Sequence, residues 1–154
     1  SFELRYLSDF QRATRDSHAI ALIFFDIDYF KHYNDHFGHP KGDRCLREVA
    51  TTLGKNFQRA TEAVVRYGGE EFVAILTNIS REEAAQAAER ARQAVEKRHI
   101  EQGPQCPVRC VTVSCGVAWQ VTDKNDKPDG LVNAADSALY RAKQAGRNCV
   151  RGAE

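Results

Sequence analysis

The order of hydrophobic patterns along the chain predicts a mixed α/β fold, a central sheet covered by helices rather than a doubly wound parallel one. Three observations carry this. Ile20 to Phe25 is an unbroken apolar run, the pattern of a central strand buried on both faces. Ala63 to Tyr67 and Phe72 to Leu76 are strand-like runs on either side of Gly68-Gly69, and they read as a β-hairpin because glycines accept positive φ. Helical periodicities separate these strands from a second, alternating strand near the C-terminus.

Taken in order, Ser1 to about Ser17 spaces Phe2, Leu4, Leu7, Phe10 and Ala13 as the apolar stripe of a helix. The central strand follows and ends in Asp26-Ile27-Asp28, which delivers carboxylates at its C-terminal end. Tyr29 to His36 reads as a short helix stopped by Gly38, and about Lys41 to Phe57 as a longer one with Leu46, Val49, Ala50, Leu53 and Phe57 on one face. After the hairpin, Arg81 to His99 carries an alanine-rich stripe, closed by the loop around Gly103-Pro104. Val111, Val113, Cys115, Val117 and Trp119 alternate with polar or small residues as in a strand. A last helix carries Leu131, Ala135, Ala138, Leu139 and Ala142 and ends at Gly146, and Asn148 to Arg151 reads as an edge strand.

Composition narrows the function classes. The 154 residues suit one domain, and 42% apolar with 28% charged residues lies in the globular range. Twenty-two basic against 21 acidic residues leave a net charge of +1, so no global field points to a long nucleic acid or an anionic membrane. Five cysteines, an odd number, argue against a disulfide framework and for a reducing cytoplasm. Cys106, Cys110 and Cys115 lack the C-x-x-C gaps of a zinc site and read as ordinary thiols. No apolar run reaches the roughly 18 residues of a membrane span, so no membrane contact is expected from this segment. The absence of a starting Met suggests a single domain, 1–154, cut from a longer protein with an N-terminal regulatory region.

Asp26, Glu70 and Glu71 stand at a strand end and a hairpin turn, places that adjacent strands bring together. Clustered carboxylates repel unless a cation neutralises them, and all-oxygen ligation points to Mg²⁺ or Mn²⁺ held together with substrate phosphates. The competing reading of each glutamate alone is an ordinary solvated acid.

The ordered set Phe25-Asp26-Ile27-Asp28-Tyr29-Phe30-Lys31, Asn34-Asp35, Gly38-His39, Gly42-Asp43, Arg66-Tyr67 before Gly68-Gly69-Glu70-Glu71-Phe72, Val113 to Ala118, Ala135 to Tyr140, Ala142-Lys143 and Gly146-Arg147-Asn148 resembles the GGDEF domains over nearly the whole chain. The resemblance implies a palm-like sheet, as in nucleotide cyclases and polymerases, with the signature on a hairpin turn. It implies a diguanylate cyclase of bacterial second-messenger signalling, condensing two GTP into cyclic di-GMP across a two-fold homodimer. It also implies a cytoplasmic location, free or as the cytoplasmic part of a membrane-bound sensor.

By the same resemblance, Asp26, the Ile27 carbonyl, Glu70 and Glu71 would hold the metal, with Glu70 also the base for the attacking 3′-hydroxyl. Asn34 and Asp43 would read the guanine edge, since a carboxylate accepts from guanine N1 and N2. His39 matches a third substrate position, or is a helix-start residue. Lys31 would offset charge in the transition state, and Lys143 with Arg147 would hold the β and γ phosphates. Asp136 is read as a structural hydrogen-bonding residue. Arg59 and Glu62 fall where the family carries an inhibitory product site, Arg-x-x-Asp, and the extra methylene of Glu62 predicts weaker binding of cyclic di-GMP there. The family's D-x-L-T-G-L-x-N-R stretch, which precedes the first helix, is not in this sequence. Two other readings remain: a catalytically inactive GTP-sensing module, and a palm-like purine nucleotide cyclase working in one active site.

Overall fold

The computed structural model describes residues 1–153. Its elements are α1 (Phe2–Asp16), β1 (Ala19–Ile27), α2 (Phe30–Phe37), α3 (His39–Lys55), β2 (Glu62–Gly68), β3 (Glu71–Thr77), α4 (Arg81–Glu96), β4 (Val113–Val121), α5 (Pro128–Gln144) and β5 (Val150–Gly152). The five strands form one sheet in the order β2-β3-β1-β4-β5, antiparallel except for the β4–β5 pair. β1 is its centre, as the unbroken apolar run predicts, and all nine of its residues are buried.

Strand side chains alternate between faces, so each face of β1 serves a different core. Ala21, Ile23, Phe25 and Ile27 join Val49 and Leu53 of α3 and the alanine stripe of α4. Ile20, Leu22 and Phe24 join Phe2, Tyr6 and Phe10 of α1 and Leu131, Ala135 and Leu139 of α5. Asp26 has the parity of the second set, so the period of two aims its carboxylate to the face that α5 covers.

β4 is where the sequence pattern and the packing part company. Its alternation reads as one buried and one solvated face, yet Val113 to Ala118 are buried throughout. The small residues face α5 at close range. A β-carbon on Gly116 would stand 2.2 Å from the Leu139 nitrogen and 2.4 Å from the Ala135 carbonyl oxygen, both backbone atoms. Glycine is required there for α5 to lie against the sheet.

Several boundaries differ from expectation. α3 starts at His39 because Gly38, at φ 86°, ends α2 and caps α3 at once, leaving no connecting loop. α4 stops at Glu96, before the expected His99, and begins with a capping box in which Ser80 and Glu83 each accept the other's backbone N–H. The strand expected from Val111 begins at Val113, and the terminal strand is Val150–Gly152. Only Gly69 of the hairpin pair takes positive φ (49°), while Gly68 is the last residue of β2. No helix of the described residues is long and apolar enough to cross a membrane.

Gly116→Ala is expected to cost roughly 2–4 kcal/mol in a denaturant melt, because backbone atoms of α5 must retreat. Gly130→Ala, whose added methyl meets no atom within 4 Å, provides the comparison and is expected to leave stability nearly unchanged.

Candidate functional site

The C-terminal end of β1, the β2–β3 turn and the last turn of α5 converge. Asp26 is directly opposite Glu71 in the antiparallel β1–β3 register, so the two carboxylates share a sheet face. The Ile27 N–H donates to the Glu70 carbonyl at 3.2 Å, fastening the turn to the end of the central strand. Arg66 clamps the same turn from outside, its Nε and Nη2 donating to the Gly69 carbonyl at 3.0 and 2.7 Å.

Lys143 reaches in from α5, its Nζ 2.9 Å from Asp26 Oδ2, across 117 residues of sequence. Asp26 is 7% exposed. Burial raises its pKa, the Lys143 contact pulls back, and the nearby charges of Glu70 and Asp28 raise it further. Glu71 is also raised, first by burial and then by Asp26, with Glu70 and Asp136 adding to it and Lys143 opposing. Both carboxylates are therefore held where their charged forms are short of positive partners, the condition that a bound divalent cation relieves.

Among the described residues no three His, Cys, Asp or Glu side chains form a ready-made metal cage. One or two carboxylates at a site open to substrate suit Mg²⁺ better than a full protein cage does, since that ion keeps waters and phosphate oxygens in its shell. The residues present fit such a group.

The other expected residues fall into distinct places. Asn34, on α2, has a buried Oδ1 without a hydrogen-bond partner, pressed against α3 at Gly42, where a β-carbon would lie 1.8 Å from it. Asp43 is one residue further on and lines a cavity of about 420 Å³ with Leu46, Arg47, Val64, Arg66 and Phe72. Apolar walls with a few charged groups are what a purine base requires. His39 is exposed as the first residue of α3, a helix-start position. Lys31 is exposed on α2 and pairs with Asp35 at 3.0 Å, so its ammonium points along the helix surface. Arg147 lies just past α5 with φ 66°, its guanidinium over the Tyr29 ring at 5.1 Å. Arg59 is exposed, and its backbone N–H donates to Glu62 Oε1 at 3.1 Å, so the Glu62 carboxylate is engaged in its own turn.

Three features escape the sequence reading. Asp136 is exposed, makes no side-chain hydrogen bond among the described residues and acts instead as a negative charge near Glu71. That corrects its expected structural role. Arg66 was legible only as part of a motif, not as the clamp on the turn. Asp28 is 2% exposed and accepts hydrogen bonds from Thr112, Ser114 and the Asn148 backbone. The alternating pattern around Thr112 and Ser114 contained the signal, two hydroxyls opposite the strand end.

The family profile described as "Diguanylate cyclase, GGDEF domain" matches residues 1–149. The chain is 39% identical over 142 residues to the response regulator PleD of Caulobacter vibrioides, covering 92% of this chain and 31% of that protein. It is 41% identical over 133 residues to diguanylate cyclase A of Treponema denticola, covering 86% and 34%. The chain thus spans about a third of the length of these curated relatives. Among solved structures, the GGDEF domain of DgcB from Caulobacter crescentus in complex with c-di-GMP superposes with a TM-score of 0.87 at 31% identity, covering 98% of this chain and 87% of that one. The active GGEEF domain of a diguanylate cyclase from Vibrio cholerae gives 0.86 at 30%, covering 98% and 93%.

The Lys143–Asp26 pair generates a prediction. In chelator, Lys143→Met is expected to lower stability by about 1–2 kcal/mol, because it strands a buried carboxylate, with the loss reduced by the partial exposure of the lysine. Millimolar Mg²⁺ is expected to raise the melting temperature of the variant more than that of the parent, since the ion takes over the missing charge. Equal melting of the two proteins in chelator would contradict the pairing.

Proposed function

The chain belongs to the GGDEF-domain family of diguanylate cyclases, and from that premise we propose that it condenses two molecules of GTP into cyclic di-GMP and two pyrophosphates. The observation that supports this most directly is the Asp26–Glu71 cross-strand pair beside the Glu70 turn, with Lys143 closing it from α5. Each GTP contributes a 3′-hydroxyl and an α-phosphate. Ring closure therefore needs two copies of the domain facing each other with two-fold symmetry, each holding one nucleotide. The cyclase chemistry of the family calls for a divalent cation, here Mg²⁺ or Mn²⁺, which when bound offsets charge on the attacking oxygen and the leaving pyrophosphate.

The roles of this chain's own groups follow. Asp26, the Ile27 carbonyl, Glu70 and Glu71 would hold the cation, and Glu70, at the tip of the hairpin, takes the proton from the 3′-hydroxyl. Each 3′-oxygen then bonds to the α-phosphorus of the other nucleotide as the bond to pyrophosphate breaks. Asn34 and Asp43 select guanine. The Asn34 amide can donate to the guanine edge, and adenine lacks the N1–H and N2–H donors that Asp43 needs. His39 contributes at the edge of the nucleotide. Lys143 and Arg147 take the β and γ phosphates, and Lys31 leaves Asp35 to meet charge that develops in the transition state. Phosphoryl-transfer catalysis is largely positioning and charge neutralisation, so this set suffices.

Arg59 and Glu62 form a product site that binds cyclic di-GMP weakly, because the Glu62 carboxylate must first leave the Arg59 N–H. The domain works in the cytoplasm.

Mass analysis after incubation with GTP and Mg²⁺ is expected to show cyclic di-GMP. Asp26→Asn and Glu70→Ala are expected to stay folded by circular dichroism and to lose roughly 10²–10³-fold in rate, the cost of removing a charge-stabilising group. Parental rates in both variants would overturn the metal assignment.

A further inference from the structure

Asp28 and Asn148 are conspicuous because both are heavily bonded and neither has a part in the chemistry just described. Asp28 Oδ2 accepts from Thr112 Oγ1 at 2.8 Å and from the Asn148 backbone N–H at 3.0 Å, and Oδ1 accepts from Ser114 Oγ at 2.6 Å. The Asp28 N–H donates to the Thr112 carbonyl at 2.9 Å. Both carboxylate oxygens are thus committed to the protein, which leaves Asp28 unsuited to a metal although it stands two residues from Asp26.

Asn148 completes the link on the other side. Its Oδ1 accepts from Arg92 Nη1 at 2.7 Å and its Nδ2 donates to Glu96 Oε2 at 2.8 Å. Arg92, whose side chain is 12% exposed, is itself held by Glu89 at 2.7 Å and Glu96 at 3.1 Å, all on α4. Asn148 therefore bridges a charged cluster on α4 to a buried carboxylate at the end of β1.

Between that bridge and α5 lie three successive residues at positive φ: Gly146 at 112°, Arg147 at 66° and Asn148 at 45°. Non-glycine residues persist in this region only where their surroundings over-determine them. Here the turn is fixed at its start by the Arg147 N–H on the Ala142 carbonyl at 3.1 Å, and at its end by Asp28. Arg147 is the middle residue, its guanidinium over the ring of Tyr29, the residue after Asp28.

We propose that Asp28 and Asn148 are positioning residues for nucleotide binding: together they hold the left-handed turn that aims Arg147, and the end of α5 with Lys143, at the phosphates of GTP. This rests on the reading of Arg147 and Lys143 as phosphate cations. Neither positioning residue touches the nucleotide. A role in stability alone would leave binding of the triphosphate and of the bare nucleoside monophosphate equally affected, whereas aiming the cations affects only the ligand that carries β and γ phosphates.

The test measures dissociation constants of GMP and of 3′-deoxy-GTP, which cannot cyclise, in Mg²⁺ by calorimetry. Asn148→Gly tolerates the positive φ and keeps the N–H that Asp28 accepts, so the variant is expected to fold. It is expected to weaken 3′-deoxy-GTP by about tenfold with GMP changed less than about twofold, the size expected from a small misplacement of a binding group. Asn148→Asp combined with Glu96→Gln reverses donor and acceptor across the same bridge and is expected to recover most of the loss, whereas Asn148→Asp alone is not. Arg147→Ala separates the two layers of the reading. If Arg147→Ala selectively weakens the triphosphate and Asn148→Gly does not, or weakens both ligands alike, the positioning role is overturned while the phosphate role stands. If Arg147→Ala leaves 3′-deoxy-GTP unchanged, the phosphate reading fails and the positioning role fails with it.

Discussion

The constraint on which the rest depends is the burial of Asp26 at the end of the central strand. A carboxylate there is costly unless positive charge reaches it, and the fold supplies that charge from a distant part of the chain, through Lys143 on α5. Everything that sets the α5 position then bears on the site. Gly116 admits the helix to the sheet, Ala135 and Leu139 seat it on β1, and the parity of β1 turns Asp26 toward it. The antiparallel pairing of β1 with β3 adds Glu71 to the same face, which leaves more negative charge than one lysine offsets. On the proposed function, a divalent ion and a cluster of phosphates would resolve that imbalance in opposite senses. An ion bound there would answer the carboxylates and free the lysine for the phosphates.

Strong periodic segments were legible in the sequence because burial and periodicity report the same fact. β1 could be read as central because no residue between Ile20 and Phe25 offers a polar face, and the hairpin because Gly68-Gly69 interrupts two apolar runs. What the pattern hid was close packing. In β4 the small residues Ser114, Gly116 and Ala118 look like a solvent face, but small size there reflects the proximity of a helix backbone. Likewise Gly38 looked like a stop, though a single residue of positive φ serves as stop and start together.

The site was legible in part for a similar reason. The paired glutamates stood out by their place after two glycines, and Glu71 does lie opposite Asp26. Residues whose importance comes from long-range hydrogen bonds did not. Asp28 and Asn148 are 120 positions apart, and no local pattern announces that one carboxylate will hold both a strand end and the turn after the last helix. Asp136, read as a hydrogen-bonding residue for want of a ligand role, is instead exposed and adds negative charge near Glu71. The exposed Lys31–Asp35 pair has the opposite character: it is weak and solvated, so the lysine is easily released.

A cyclase that joins two nucleotides through two copies of one site must encounter itself before it reacts. The most direct test is the initial rate of cyclic di-GMP formation against protein concentration, at saturating GTP and Mg²⁺, in the range where sedimentation shows monomer. The initial rate is expected to rise with the square of the protein concentration, so that specific activity increases in proportion to concentration. A specific activity that stays constant through that range, or a product that is a 3′,5′-cyclic monophosphate, would contradict it.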